Sequence, residues 1–208
     1  MRKHVFTTGE YYHIYNRGVD KRDVILDTYD LNRFLESLKE FNTIDPIGAL
    51  YLLSFNKGLS SSTTKSERLV SITAYCINPN HFHLILTPLV EKGVEKFMQR
   101  IGGYTRYFNE KYERSGTLFQ GKFKSKHISD DRYLLHLSAY INMNNRDLQG
   151  NSISNLSRSS LEEYIKNETG FCDKSIVLEQ FKNNKEYSNF AMESWLDSES
   201  RKAALEVT

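Results

Sequence analysis

Two histidines separated by one residue are the first feature of this chain that could support chemistry. His81 and His83 precede the apolar run 84–86, which is typical of a buried central strand. Because successive side chains of a strand point to opposite faces, the two imidazoles would share one face. The turn-forming residues 78–80 place the pair where the strand begins. Two imidazoles in this arrangement could bind one cation or act on one phosphate, although the spacing alone is equally compatible with an ordinary strand.

A later helix carries a second group of polar side chains. Apolar spacing predicts a helix over residues 133–144, and His136, Tyr140 and Asn144 follow one another at intervals of four residues. Side chains at this spacing lie along one stripe of a helix. A tyrosine on a helix is more often a packing residue than a nucleophile, so the residues alone leave the role of Tyr140 open.

The elements that must position these residues indicate an α+β fold. Aromatic and apolar runs predict strands at 10–17, 49–55, 69–77, 81–87 and within 117–129, and amphipathic spacing predicts helices at 28–42, 93–112 and 133–144. A polar, low-complexity stretch, 60–66, predicts a loop. The pattern contains the order strand, helix, strand, strand, helix, strand. That order is the one of a ferredoxin-like (βαββαβ) antiparallel sheet, here followed by a further helix and a C-terminal helical extension.

The basic residues are concentrated in one part of the chain. Residues 151–208 carry 7 Lys and Arg against 10 Asp and Glu, a net charge of −3, which leaves +5 for residues 1–150 because the whole chain carries +2. The cations of segment 100–126 alternate with aromatic residues, which suits single-stranded nucleic acid, although a solvated helix face is the commoner origin of such a cluster. The candidate DNA contacts are six cations and one amide that could read base edges: Arg106, Lys111, Arg114, Lys122, Lys124, Lys126 and Gln120.

Length and composition narrow the class of protein. A chain of 208 residues with 39% hydrophobic and 26% charged residues is typical of a globular protein with one domain and an appended segment. No apolar run reaches the length of a membrane span, and the first residues lack the apolar core of a signal peptide. Two cysteines without metal-type spacing indicate neither a disulfide framework nor a zinc site, so we expect a cytoplasmic protein. The polar residues 150–160 predict a boundary between a catalytic domain, 1–150, and an accessory helical segment, 151–208.

Five stretches, taken together and in order, resemble the HUH single-tyrosine transposases, in particular their REP-associated (RAYT-like) branch. The resemblance spans roughly residues 10–146 and rests on Asn16–Gly18, Pro79–Leu84, Tyr104–Asn109, Gly116–Lys124 and Tyr133–Asn144. A His-x-His motif alone is a weak signal, whereas the ordered set is specific.

The resemblance implies both an activity and the residues that perform it. By position, His81, His83 and Asn144 would hold Mg²⁺ or Mn²⁺, and Tyr140 would be the nucleophile. The implied protein is a metal-dependent endonuclease and strand transferase that acts on single-stranded or hairpin-forming DNA through a 5′-phosphotyrosine intermediate. Members of the family act as monomers or homodimers, and both states are open for this chain.

Two points of the sequence depart from this expectation or compete with it. The family commonly has a histidine and a proline after the tyrosine, where this chain has Asn142 and Asn145. Tyr104 and Tyr107 are nearer to the histidines in sequence, and periodicity alone does not exclude either as the nucleophile.

Two other functions remain compatible with the same residues. The first is a non-catalytic nucleic-acid-binding protein on the same scaffold, which would need the basic aromatic segment but no nucleophile. The second is a metal-handling α+β protein in which the histidine pair belongs to a zinc site.

Overall fold

The computed structural model describes residues 5–45, 48, 67–166 and 168–206, with side chains described up to residue 200. The predicted strand 49–55 and the predicted loop 60–66 lie outside the described residues.

A five-stranded antiparallel sheet forms the centre of the molecule. Its strands are β1 (Tyr11–Arg17), β2 (Val70–Asn78), β3 (His81–Pro88), β4 (Lys124–Ile128) and β5 (Arg158–Ser159), in the spatial order β4-β1-β3-β2-β5. All strand pairings are antiparallel. The first four strands, in this spatial order, and the helices between them form the ferredoxin-like arrangement. The predicted fold class is therefore confirmed, and the short strand β5 extends the sheet beside β2.

Seven α-helices accompany the sheet in the described part of the chain. They are α1 (Thr28–Glu40), α2 (Gly93–Ile101), α3 (Tyr104–Lys111), α4 (Asp131–Met143), α5 (Leu161–Ile165), α6 (Ser175–Leu178) and α7 (Asn184–Glu206). None of these described helices combines the length with the apolar character needed to cross a membrane.

The helix predicted over 93–112 is interrupted in its middle. Gly102 and Gly103 separate α2 from α3, and the Gly103 amide donates to the Arg100 carbonyl oxygen at 3.0 Å, a tighter turn than that of an α-helix. Two adjacent glycines remove about 2 kcal/mol of helix propensity relative to alanine, so tertiary packing sets the direction of each half separately.

The two faces of the sheet bury different layers. Helices α1, α2 and α3 cover one face, where Phe34, Phe97, Tyr104 and Phe108 pack with the strand residue Phe82. Helix α4 covers the other face and buries Leu134, Leu137 and Ile141 against the strand residues Cys76, Ile85 and Ile128. Because α3 and α4 lie on opposite faces, the aromatic side chains that α3 buries are separated from α4 by the sheet.

The C-terminal segment packs on the outer side of α4. Ala139 and Met143 of α4 share an apolar cluster with Tyr164, Tyr187 and Trp195. Helix α4 therefore lies between the sheet and the segment that follows residue 150. The division into a catalytic domain and an accessory segment stays a prediction.

A buried polar link joins the same two parts. Asn142 is fully buried, its Nδ2 donates to the Tyr187 hydroxyl at 2.6 Å, and its Oδ1 accepts from Ser160 Oγ at 2.5 Å. The Ser159 hydroxyl donates to the Asn142 carbonyl oxygen at 2.8 Å. Asn142 therefore fastens α4 to the C-terminal segment.

We expect Asn142→Ala to lower the free energy of unfolding by about 2–3 kcal/mol, because it leaves buried hydroxyls without their partners. Urea denaturation followed by circular dichroism measures this loss. Asn155→Ala, at an exposed position, is the control and should change the value by less than about 0.5 kcal/mol. Equal stability of the two variants would contradict the structural role of Asn142.

Candidate active site

A cleft of about 650 Å³ opens where β1 ends and β3 begins. Its lining includes the four residues expected to carry the chemistry, His81, His83, Tyr140 and Asn144, together with two of the expected DNA contacts, Gln120 and Lys124. Residues from β3, α4, the loop before β4 and β4 itself thus meet in one space.

The sheet fixes the direction of the two histidines. His81 pairs with Arg17 and Asn78 across the neighbouring strands, and His83 pairs with Tyr15 and Cys76. Both imidazoles line the cleft, with ring centroids 5.2 Å apart, while Phe82 between them is buried in the opposite layer. The shared face expected from strand alternation is confirmed.

The turn between β2 and β3 is held by the segment that follows β1. Pro79 accepts hydrogen bonds from the amides of Val24 and Ile25 at 2.6 and 3.0 Å, and the Asn80 carbonyl oxygen accepts from the Gly18 amide at 2.8 Å. These bonds fix the backbone of Asn80, whose side chain adjoins His81. A side chain at Gly18 would place its Cβ 2.1 Å from the Arg22 carbonyl oxygen, so this approach requires glycine.

Three side chains converge at the mouth of the cleft. His81 Nδ1 lies 2.5 Å from Asn80 Oδ1, which can only accept, so the neutral form of His81 that makes this bond has its proton on Nδ1 and a lone pair on Nε2. That Nε2 lies 3.0 Å from Asn144 Oδ1, a second acceptor. Asn78 Nδ2 bridges both atoms, at 3.2 Å from His81 Nε2 and 2.9 Å from Asn144 Oδ1. The imidazole nitrogen from β3 and the amide oxygen from the end of α4 therefore lie side by side, and both can bind a cation.

This separation fits a divalent cation. Neighbouring ligands of an octahedral Mg²⁺, each about 2.1 Å from the ion, are about 3 Å apart. Asn78 Oδ1 is also buried and has no hydrogen-bond donor among the described residues. The described residues contain no group of three or more His, Cys, Asp or Glu side chains that could hold a metal. A closed zinc site of four such ligands is therefore not formed in this part of the chain.

Tyr140 faces the same space from α4. Its ring centroid lies 5.9 Å from that of His83, at an interplanar angle of 82°, and 6.0 Å from that of Trp195. Asn144 caps the C-terminus of α4 one turn later. The stripe expected on this helix therefore brings Tyr140 and Asn144 to the histidines.

The other two candidate tyrosines lie in the layer on the opposite face. The Tyr104 hydroxyl donates to the Val24 carbonyl oxygen at 2.6 Å, and the Tyr107 hydroxyl donates to Asp30 Oδ1 at 2.7 Å. Burial is the main cause that raises the pKa of both phenols, which opposes ionisation. Neither lines the cleft that contains the histidines.

A third histidine, which the sequence left without a role, adjoins the pair. His13 Nε2 lies 2.9 Å from His83 Nδ1, and the two rings stack with centroids 5.1 Å apart. Burial, and next the charge of Lys126, lower the pKa of His13 to about 4, so the ring is neutral at pH 7. Strand alternation places His13 and Tyr15 on one face, but their contact with His83 depends on the pairing of β1 with β3, which the sequence does not reveal.

The basic residues near the cleft differ in their surroundings. Lys124 lies in the cleft and pairs in register with Tyr15. Lys126, on the same strand, places its Nζ 4.5 Å from the centroid of the Tyr133 ring. Lys122 lines a neighbouring pocket of about 390 Å³.

The three cations in and after α3 have local partners. Arg106 pairs with Glu110 at 2.7 Å, and Arg114 donates to Asn109 Oδ1 at 2.9 Å. Lys111 Nζ lies 2.7 Å from Asp27 Oδ2 and 2.8 Å from Asp30 Oδ1. A role of these three cations in DNA binding stays a prediction.

Comparisons with known proteins bear on the same residues. Residues 59–144 match the family described as "Transposase IS200 like". This part of the chain is similar to the IS200-like transposases. The matched range contains β2, β3, α2, α3, β4 and α4 up to Asn144, and therefore all four residues expected to carry the chemistry. The family expected from the sequence motifs is confirmed at this level.

The chain is also similar to solved structures. One of them is described as a REP-associated tyrosine transposase bound to a REP hairpin, with 15% identity, coverage of 69% of this chain and 71% of that chain, and a TM-score of 0.42. No curated protein matches the chain.

Lys111 forms a cluster of charged and phenolic groups with Asp27, Asp30 and Tyr112, and this cluster should contribute to the stability of the fold. Asp30 is fully buried and also accepts from the Tyr112 hydroxyl at 2.7 Å. The bond to Lys111 lowers the pKa of Asp27; at Asp30 burial opposes ionisation, but hydrogen bonds from Lys111 and Tyr112 outweigh it and lower the pKa. Carboxylates with lowered folded pKa values stabilise the fold above the ordinary carboxylate range and lose this contribution as the pH falls through the folded pKa.

We expect Lys111→Met to reduce the free energy of unfolding at neutral pH by about 1–2 kcal/mol, and the difference from wild type to shrink on acidification. Urea denaturation across a pH series measures both effects. Lys185→Met, at an exposed position of α7, provides the matched control and should be neutral. A Lys111→Met variant as stable as the control would show that the ion pairs contribute nothing.

Proposed function

We propose that this transposase cleaves and rejoins single-stranded DNA through a covalent bond between Tyr140 and a DNA 5′-phosphate. The observation that carries the proposal is that Tyr140, His81, His83 and Asn144 line one cleft of a single chain. Transposition of DNA is the activity of the family that residues 59–144 match.

The reaction needs no external energy source, because one phosphodiester bond replaces another. The phenol oxygen of Tyr140 forms a bond to the scissile phosphorus while the bond from phosphorus to the 3′ oxygen breaks, and the 3′ oxygen takes up a proton. The products are a 5′-phosphotyrosine and a free 3′-hydroxyl. A 3′-hydroxyl can attack the phosphotyrosine in the reverse sense, which joins the strands and restores the phenol.

The side chains of the cleft have distinct roles in this proposal. Tyr140 must lose its phenol proton as it attacks, because the phosphotyrosine that forms has no O–H bond. His81 Nε2, His83 Nε2 and Asn144 Oδ1 would hold Mg²⁺ or Mn²⁺, which supplies Lewis-acid polarisation of the phosphate when bound. A neutral imidazole and an amide oxygen suit these ions, with the remaining positions left for water and phosphate oxygens. Tyr140 is held beside the same place by α4, so that nucleophile and phosphate would approach each other without a large rearrangement.

The proposed DNA path begins at the cleft. Lys124 and Gln120 line the same space as Tyr140, so we place the phosphates next to the scissile bond against them. Lys122 and Lys126 continue this side of the molecule, and Arg106, Lys111 and Arg114 are the more distant members of the predicted set. A hairpin-forming repeat as substrate rests on the sequence motifs, and action in the cytoplasm rests on the composition.

The proposed site does not require a second subunit. Its nucleophile and all three proposed metal ligands come from the same chain, so a monomer contains a complete set. A homodimer remains compatible with this arrangement.

We expect Tyr140→Phe to reduce covalent adduct formation by about 10³-fold or more, because the ring remains and only the nucleophilic oxygen is lost. The assay uses an oligonucleotide labelled at its 3′ end, which stays with the protein when the link is a 5′-phosphotyrosine, and detects the adduct on a denaturing gel. DNA binding by fluorescence anisotropy should remain within about twofold.

Tyr107→Phe is the matched control, since it removes a phenol oxygen on the opposite face of the sheet. It should form the adduct at close to the wild-type rate. Adduct formation by Tyr140→Phe together with its loss in Tyr107→Phe would overturn the assignment, and a wild-type protein that binds DNA but never forms an adduct would favour the non-catalytic alternative.

Lys124 in the cleft and Lys185 on α7 should differ in how they contribute to DNA binding. Lys124→Ala should weaken binding and reduce the slope of log K against log salt by roughly 0.7, the contribution of one phosphate contact on a single strand. Lys185→Ala, on α7, should leave the slope unchanged. The measurement is anisotropy over a salt series with the same oligonucleotide. A slope unchanged in Lys124→Ala would exclude this lysine from the DNA path.

A further inference from the structure

His13 occupies a distinct position relative to the cleft. It is buried with 9% of its surface exposed, and it lines a groove on the other side of Tyr140 rather than the cleft that holds His81 and His83. A phosphate in the cleft would therefore not touch His13. His13 therefore influences the site through the cleft residues that it contacts, His83 and Tyr15.

The sheet itself holds His13 in this position. His13 pairs with Ile85 on β3, which makes it the diagonal neighbour of His83 on the same face. Its ring stacks on that of Tyr15 at 4.7 Å and on that of His83 at 5.1 Å. The strand pairing and the two stacked rings together direct His13 Nε2 at His83 Nδ1, 2.9 Å away.

The proton in this contact determines which nitrogen of His83 is available. If His13 donates, a neutral His83 must carry its own proton on Nε2, and that atom cannot bind a cation. If His83 donates from Nδ1, its Nε2 keeps a lone pair directed away from His13. Coordination through Nε2 therefore requires His13 to be the acceptor.

His81 has an equivalent arrangement with a different partner. Asn80 Oδ1 accepts from His81 Nδ1, and in the neutral form of His81 this bond leaves the lone pair on Nε2, beside Asn144. Partners of this kind orient metal-bound histidines and raise their basicity. Each member of the histidine pair thus has a hydrogen-bond partner at Nδ1.

We propose that His13 is a positioning residue, which accepts the Nδ1 proton of His83 and thereby presents His83 Nε2 to a divalent cation in the cleft. This inference rests on the proposed function, because it assumes that His83 is a metal ligand. It gives His13 no contact with the DNA.

Mn²⁺ binding to the full chain without DNA tests the inference independently of catalysis. Isothermal titration calorimetry should show that His13→Leu binds Mn²⁺ about 10–100-fold more weakly than wild type, since Leu fills the space without an acceptor. His13→Gln, whose Oε1 can reach the place of Nε2, should restore affinity to within about threefold of wild type. His127→Leu removes a histidine from the edge strand β4, where it pairs with Glu10, and should leave Mn²⁺ affinity unchanged.

A second measurement needs no substitution. Long-range ¹⁵N–¹H correlation spectra of the wild-type protein with Mg²⁺ should show His83 with its proton on Nδ1. The Nε2-protonated form of His83, or a His13→Leu variant that binds Mn²⁺ like wild type, would overturn the role of His13 alone. A wild-type protein that binds no Mn²⁺ would overturn the metal site and this inference together, whereas loss of adduct formation despite normal Mn²⁺ binding would concern Tyr140 instead.

Discussion

The register of β3 between its two neighbours is the constraint on which the site depends. His81 and His83 face α4 only because the pairing of β3 with β1 and β2 sends Phe82 into the opposite core. A slip of one residue would exchange these faces, bury two imidazoles among aromatic rings and expose Phe82 in the cleft. The apolar layer under α1 to α3 therefore stabilises the orientation of the two histidines, because it buries Phe82 between them. The hydrogen bonds at the hairpin turn 79–80 stabilise the same register.

Helix α4 determines where the phenol lies relative to that strand. Leu137 and Ile141 attach one side of the helix to the sheet, and Ala139 and Met143 attach the other side to the C-terminal segment. A helix held between two apolar layers can neither rotate nor slide without opening a cavity in one of them, and cavities in a packed core are costly. Tyr140 stands at the border between these layers, next to Trp195 and His83. The C-terminal segment thus supports the position of the proposed nucleophile.

Local patterns predicted the parts of the site that depend on local geometry. Strand alternation gave the shared face of His81 and His83, and helical spacing gave the stripe that carries Tyr140 and Asn144. The contact of His13 with His83 joins positions that are 70 residues apart and depends on strand register, which local patterns do not contain. The periodicity of residues 93–112 predicted one helix, whereas Gly102 and Gly103 divide it into two, and the direction of each half depends on packing against the sheet.

The same arrangement of α4 bears on Asn142, which stands where the resembled family commonly has a histidine. Tyr140 and Asn142 are two residues apart on α4, so their side chains point in nearly opposite directions. Asn142 forms buried hydrogen bonds with Ser160 and Tyr187, and it does not line the cleft. An amide there can donate to one hydroxyl and accept from another, as a neutral imidazole could, but within the geometry that this C-terminal segment provides. The asparagine at position 142 therefore affects how α4 is held against the C-terminal segment. It leaves the residues that line the cleft around Tyr140 unchanged.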